Sequence, residues 1–438
     1  MDARSRRREF LKASTLTGLG FWVGGRSIGQ DGESKSPNEK LDIAVIGCGG
    51  KGHSDMRSVT SENIYALCDV DDKQGAKAYE EQPKAKRYHD YRELLEKEGK
   101  NLDAVIVATP DHSHAPASIL AMKMGLGVYC QKPLTHNVYE ARLMRETAAK
   151  YKVATQMGNQ GTANDDLREA AEVVQSGAIG DVREVHVWTN RPIWPQGQER
   201  PKNEEKVPDH LEWDLWLGPA SFRPYNSAYC PFSWRGWFDF GTGALGDMAC
   251  HTANLPFMAL KLEYPTSVEA TTTPFNKDSF PMASRIQYDF PARGSMPPLT
   301  MYWYDGGLKP WESLFLGEKR PNTGSLLVGD RGTLVSAGDY GGSYQLLPKK
   351  HFEGYKKPAP WIERSPGHYV EWIRACKGGK PAMSNFDYAA LLTETILLGN
   401  VAMQAGERIE YDGPNMKITN VESANSLLRR EYRKGWAL

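Results

Sequence analysis

The sequence predicts an α/β chain: a doubly wound parallel sheet comes first, followed by an α+β domain with a large, mostly antiparallel, open-faced sheet. Three observations carry that expectation. From Leu41 to about Met157, short apolar runs alternate with amphipathic helical patterns, as strand-helix-strand units require. Beyond Gly161 the runs become longer, aromatic and alternating with period two, which suits a sheet with one covered face. A glycine-rich turn also follows the first apolar run directly. The chain has 438 residues, enough for two or more cores.

Taken in order, the N-terminus reads Arg7, Arg8, Phe10, Leu11, Lys12, followed by a weakly apolar run over 13–25. That run is too short to span a bilayer, and a basic region ahead of an apolar one has the order of a targeting segment. It resembles the twin-arginine signal pattern, so residues 1–39 are expected to be a signal peptide and linker. The protein is then exported to the periplasm with no stable membrane insertion after processing.

The parallel-sheet strands are expected at 42–46, 64–68, 104–108, 127–130 and 153–157, with helices at 91–97, 115–124 and 138–151 between them. This places a first domain at 40–161. A second domain at 162–438 takes strands at 182–189, 267–273, 284–290 and 299–304. It also takes a long apolar-striped helix at 384–406, a packing element that can lie back on the first domain.

Lys plus Arg and Asp plus Glu each number 54, and no segment concentrates the basic charge a phosphate backbone demands. Nucleic acid is not an expected partner. Six cysteines are present, but Cys48, Cys68 and Cys130 fall in a glycine loop, a strand and a strand end, where free cysteine acts as a small apolar residue. No disulfide framework is expected.

Gly47, Gly49 and Gly52 form G-x-G-x-x-G, with Gly50 inside it, between a strand and a helical segment. Such glycines let the backbone turn sharply and approach a dinucleotide pyrophosphate at the helix N-terminus. Asp69 ends the second strand, where a carboxylate accepts from ribose hydroxyls and repels a 2'-phosphate, so NAD is expected over NADP. Asp71 and Asp72 stand close enough to take that place. Ala108-Thr109-Pro110-Asp111-His112-Ser113-His114 lies at the carboxyl end of another strand, where open sheets bind ligands. Thr109, Pro110 and His114 are therefore candidate cofactor contacts, although a capping or packing role also suits His114.

Lys132, in Cys130-Gln131-Lys132-Pro133, stands at a further strand end, kept extended by the following proline. Asp247 and His251 are four residues apart and share a face if their segment is helical. They could equally be a surface pair, and no third ligand supports a metal. Trp188, Trp194, Trp213, Trp216, Trp234 and Trp237, with Tyr225 and Tyr229, crowd one stretch. Any single Trp there is ordinarily core. Together with polar neighbours they suit a sugar ring, which makes Asn159, Asn190, Arg191, Trp194 and Arg235 the candidate substrate contacts.

The order of glycine loop, Asp after the second strand, A-T-P-x-x-x-H, Lys-Pro and G-D-x-x-x-H resembles the Gfo/Idh/MocA family of glucose-fructose oxidoreductase and inositol dehydrogenase. The stretch 326–332 of the second sheet joins the resemblance, which runs from about Leu41 to the C-terminus. It implies a Rossmann domain, an open-faced second sheet and an active site between them. It also implies that Lys132 stands beside the nicotinamide and that Asp247 and His251 handle the substrate hydroxyl proton. One departure is Gln131, where the family usually has glutamate.

The expected activity is NAD-dependent hydride transfer to or from a sugar, glycoside or polyol hydroxyl on a tightly bound cofactor. The alternative is an NAD-dependent glycosidase acting by transient oxidation and elimination, as in glycoside hydrolase family 109. A carbohydrate is the expected small-molecule partner, and the open sheet face makes a homo-oligomer expected.

Overall fold

The computed structural model describes residues 40–436 and 438, so the motif of Arg7, Arg8, Phe10, Leu11 and Lys12 lies outside the described residues. The first sheet has six parallel strands, β1 (Asp42–Ile46), β2 (Asn63–Cys68), β3 (Lys86–Tyr88), β4 (Ala104–Val107), β5 (Gly127–Cys130) and β6 (Thr155–Met157). Their order is β3-β2-β1-β4-β5-β6, which puts a reversal of strand order beside β1 and β4. Ligands bind at such reversals, outside the strands' carboxyl ends.

Both faces of this sheet are covered, which is why its central strands read as unbroken apolar runs. Ile43, Val45, Ala104 and Ile106 pack on one face with Trp372 and Ile373 from a helix far downstream, α10 (His368–Cys376). On the other face Ala44, Ile46, Val105 and Val107 join a core continuous with that of the second sheet. The remaining helices of the first half are α1 (Gly50–Arg57), α2 (Asp72–Glu81), α3 (Tyr91–Glu98), α4 (His114–Lys123) and α5 (Val138–Tyr151).

Then follow α6 (Asp165–Gln175), β7 (Val182–Trp188), α7 (Trp213–Leu217), α8 (Gly243–Thr252) and α9 (Asn254–Ala259). The second sheet adds β8 (Ser267–Thr272), β9 (Ser284–Phe290), β10 (Leu299–Tyr304), β11 (Gly324–Gly329), β12 (Thr333–Ala337), β13 (Tyr344–Leu347), β14 (Ile409–Asp412) and β15 (Lys417–Ile418) to β7, in the order β13-β12-β11-β7-β10-β9-β8-β14-β15, and is antiparallel except between β7 and β10. In β9 (Ser284–Phe290), Ser284, Ile286, Tyr288 and Phe290 are buried while Arg285 is exposed, so one face is covered and the other open.

The covering element is α11 (Phe386–Ala405), capped by the Asn385 side chain and ended by Gly406 at φ +72°. It packs against α5 as well as α8 and β8 (Ser267–Thr272), so it ties the two sheets together. Arg142 of α5 pairs with Glu394 of α11 at 2.7 Å. The C-terminal segment also returns to the first half, where the Tyr432 hydroxyl donates to Glu140 at 2.8 Å and Arg92 lies 3.7 Å over the Trp436 ring. All six cysteines are free. No helix of the described residues is long and apolar enough to cross a membrane.

Candidate active site

A cavity of about 560 Å³ runs from the glycine loop to His251, near the end of α8. At one end, Gly47 turns at φ +77° and its amide donates to Cys68 O at 2.8 Å. A Cβ on Gly52 would stand 1.8 Å from Gly47 O, so only glycine lets α1 begin this close to the turn. No side chain caps α1, which leaves its first amides facing the cavity, and Gly50 has open space around it. The buried Thr109 hydroxyl, also on the cavity wall, has no hydrogen-bond partner among the described residues.

Asp69 lines the same end and accepts from the amides of Gly49 at 2.9 Å and Asp71 at 3.0 Å. Burial pushes its carboxyl up to about 6. The rival carboxylates are occupied. Asp71 caps α2 and pairs with His210 at 2.8 Å, and Asp72 pairs with His89 at 2.9 Å. Pro110 and His114 line the wall beyond. One ring nitrogen of His114 stands 2.8 Å from Pro133 O and the other 2.8 Å from Thr109 O, and burial lowers it to about 4. It stands between two cavity loops, with a carbonyl oxygen facing each ring nitrogen.

At the other end the Lys132 ammonium donates to Asp247 Oδ1 at 2.6 Å and to the Asp247 carbonyl at 3.0 Å. Arg235 Nε donates to the same Oδ1 at 3.0 Å. Burial opposes the charge on Asp247, but these two cations hold it down at about 2. Helix α8 carries both Asp247 and His251. His251 lines the cavity, and the Tyr340 ring packs edge-on to it at 4.7 Å between centroids. Burial, then the charge of Lys132, lowers the His251 imidazole well below its ordinary value.

This arrangement corrects one expected pairing. The hydrogen bonds of Asp247 go to Lys132 and Arg235, while His251 Nδ1 is buried without a partner. Asp247 lies behind Lys132 and Arg235, is not on the cavity wall, and makes no hydrogen bond to His251.

The candidate substrate contacts divide in the same way. Arg235 and Trp234 reach the cavity. Asn159 does not, since it is fully buried, donating to Cys250 O at 3.4 Å and accepting from the Ser384 hydroxyl. Asn190 is exposed and bonded to Arg191, and Arg191 faces Asp339. Trp194 is buried behind Arg235 with its Nε1 on Gln196 at 3.0 Å. Most of the aromatic crowd is core: Trp213 stacks on Trp216 at 4.8 Å, and Tyr225, Tyr229, Trp237 and Phe240 complete the cluster. Of that crowd only Trp216 and Trp234 also line the cavity.

Sequence reasoning missed Lys51, Asp111, Gln160, Phe232 and Tyr340, all on the cavity wall. Lys51 and Asp111 lie inside motifs that were legible. Tyr340 comes from the turn between β12 (Thr333–Ala337) and β13 (Tyr344–Leu347), where no local pattern marks it.

Residues 41–159 match a family model described as an oxidoreductase family with an NAD-binding Rossmann fold, and 164–296 match that family's C-terminal alpha/beta domain. The chain belongs to the Gfo/Idh/MocA oxidoreductase family. Among curated members, a myo-inositol 2-dehydrogenase of Thermotoga maritima is 28% identical over 158 residues, 35% of this chain and 47% of that one. A glycosyl hydrolase family 109 protein of Solibacter usitatus is 28% identical over 200 residues, 42% and 45% respectively. The chain thus spans about half the length of the curated relatives it matches. The WlbA dehydrogenase of Bordetella pertussis, solved with NADH and UDP-GlcNAcA, shares the fold with TM-score 0.61 and 16% identity over 85% of this chain and 98% of that one.

NAD is the cofactor of this fold, and the residues present fit it. The uncapped glycine turn, the unpartnered Thr109 hydroxyl and Asp69 at the end of β2 are the amide cradle, open donor and ribose acceptor a dinucleotide needs.

Proposed function

We propose that the protein transfers a hydride between a CH-OH carbon of a sugar, glycoside or polyol and tightly bound NAD. One observation carries this reading. Lys132, ion-paired with Asp247, and His251, neutral at neutral pH, line one cavity together with the glycine turn.

When bound, the nicotinamide supplies the hydride acceptor. The Gly47 to Gly52 turn binds the pyrophosphate, Asp69 the adenosine ribose, and Thr109 and Pro110 the wall alongside. Lys132 places positive charge where the substrate oxygen becomes negative, an effect strongest in a site screened from water. His251 accepts the hydroxyl proton. Its Nδ1 is sequestered, which leaves Nε2 for the substrate, and its depressed basicity keeps the ring unprotonated and ready to accept. Asp247 holds Lys132 in place.

The test is to purify the holoprotein, release its nucleotide with denaturant for identification, and then follow reduction of the bound nucleotide by a panel of sugars, glycosides and polyols. Reduction by a member of that panel supports the reading, and a holoprotein that none of them reduces refutes it. Likeness to the Solibacter protein favours a second reading, oxidation followed by elimination of an aglycone. Release of the aglycone from a glycoside without net reduction decides for it.

Export as folded holoprotein by the twin-arginine route is part of the proposal, because a bound cofactor must be acquired before export. Replacing Arg7 and Arg8 by lysine should leave the protein in the cytoplasm, and unchanged secretion refutes the assignment. Self-association through the open face of the second sheet is proposed as well, and light scattering on the purified protein checks it.

A further inference from the structure

Three lysine and arginine side chains line the cavity among the described residues, and each contacts a carboxylate, two of them the same one. Lys51 is held by Asp55 and by the Tyr369 hydroxyl at 3.2 Å. Lys132 and Arg235 share Asp247 Oδ1 at 2.6 and 3.0 Å. Lys132 and Arg235 carry two charges against the one of Asp247, and Asp111, which both cations favour in its ionised form, balances the second, so this end of the wall has no net positive charge for an anionic group of a ligand.

The acids on the wall are the converse case. Asp69 takes two backbone amides, and Asp71 caps α2 and holds His210. Asp111 differs. It is 1% exposed, follows Pro110 at the carboxyl end of β4, and lines the cavity on the side of Lys132 and Arg235. The Thr242 hydroxyl, just ahead of α8, donates to its Oδ2 at 2.6 Å. Oδ1 has no hydrogen-bond partner among the described residues. A carboxylate fixed through one oxygen, with the other open to a cavity whose cations are spoken for, is an acceptor built for a neutral hydroxyl.

We propose that Asp111 binds a second hydroxyl of the substrate beside the one that reacts at Lys132 and His251, so that the site selects neutral polyhydroxy compounds over sugar acids. This rests on the oxidoreductase reading for what happens at the neighbouring hydroxyl. The hydroxyl contact itself is independent of turnover. A substrate carboxylate placed there would meet Asp111 with no net positive charge beside it to offset the repulsion, which costs affinity.

The test uses binding, not turnover. Neutral monosaccharides, their methyl glycosides and inositol are screened for binding to the holoprotein by calorimetry. The tightest binder is then compared with its monodeoxy analogues and with its uronate, using wild type and Asp111→Asn. Asparagine keeps the size and can still accept from Thr242, so the fold is preserved. We expect Asp111→Asn to weaken the polyol by about ten- to a hundredfold. One monodeoxy analogue should lose a similar factor against wild type and almost nothing further against the variant. The uronate should bind wild type more weakly than the neutral sugar and gain on the variant.

Equal polyol binding by wild type and variant overturns the assignment. So does uronate binding as tight as the neutral sugar's, or a wild type that binds no member of the panel. Polyol binding that depends on Asp111 without any reduction of the bound nucleotide would sink the oxidoreductase reading and leave the hydroxyl contact standing.

Discussion

Gln131 Nε2 donates to Asp55 Oδ2 at 2.8 Å in the buried seam between β5 and α1. Asp55 is fully buried and also accepts from Lys51 and, at 2.6 Å, from the Tyr369 hydroxyl. This relationship explains the departure at Gln131. The carboxylate of this seam belongs to Asp55, so the neighbouring position must be a donor. A glutamate at 131 would set two carboxylates face to face.

Gln131→Glu should therefore destabilise the protein by about 1–3 kcal/mol at neutral pH, the cost of replacing a buried hydrogen bond by an unsatisfied or repulsive contact. Thermal unfolding measures it. Adding Asp55→Asn should return part of the loss, since an asparagine amide can donate to the new glutamate. A single variant as stable as wild type would remove the complementarity argument.

The Asp69 carboxyl, at about 6, makes nucleotide affinity depend on pH. Burial raises it above an ordinary aspartate, so the protonated form is favoured by folding. The stability this gives the nucleotide-free protein is full below about pH 4 and is lost as pH rises through 6. Binding runs the other way, because a ribose hydroxyl needs the ionised carboxylate as acceptor. NAD should bind roughly tenfold more weakly at pH 5 than at pH 7. It should also outcompete NADP in stripped protein. Titrations at the two pH values check the first, and NADP binding as tight as NAD removes Asp69 from its role.

How far the sequence could be read follows from burial. The central strands of the first sheet were legible because both faces are covered and nearly every side chain is apolar. The edge strand β3, Lys-Arg-Tyr with two exposed residues, carries no such signal. The glycine turn, Lys132 and His251 were legible because each has a local motif. The bond from Lys132 to Asp247 spans 115 residues, and only the fold sets it. Asn159 looked available at the end of β6, yet Ser384, just ahead of α11, donates to it. The tryptophan crowd misled for a related reason, because composition shows how many rings there are but not that they stack on one another.

Lys132→Ala and His251→Ala should each lower turnover by roughly two to four orders of magnitude while the nucleotide stays bound. Because His251 is held well below its ordinary basicity, its protonation should not produce the usual loss of activity near pH 6.5. The pH profile of kcat on any accepted substrate tests this. A limb at 6.5 that disappears in a His251 variant would show the ring to be more basic than its burial implies.

Asp247→Asn separates charge from shape at the centre of the site. Asparagine keeps an oxygen for Lys132 and Arg235 but leaves two partly buried cations side by side without their counter-charge. Removing one member of a buried ion cluster costs roughly 3 kcal/mol, and the low value of Asp247, about 2, points the same way. That contribution is present above about pH 4 and is lost as pH falls toward 2, so the variant should be less stable at neutrality and flatter with pH in that acid range. Turnover should fall more than substrate affinity, because Asp247 lies behind the wall and acts through Lys132. If affinity for the substrate collapsed while kcat held, Asp247 would instead be a direct ligand, and the position of Lys132 would need another explanation.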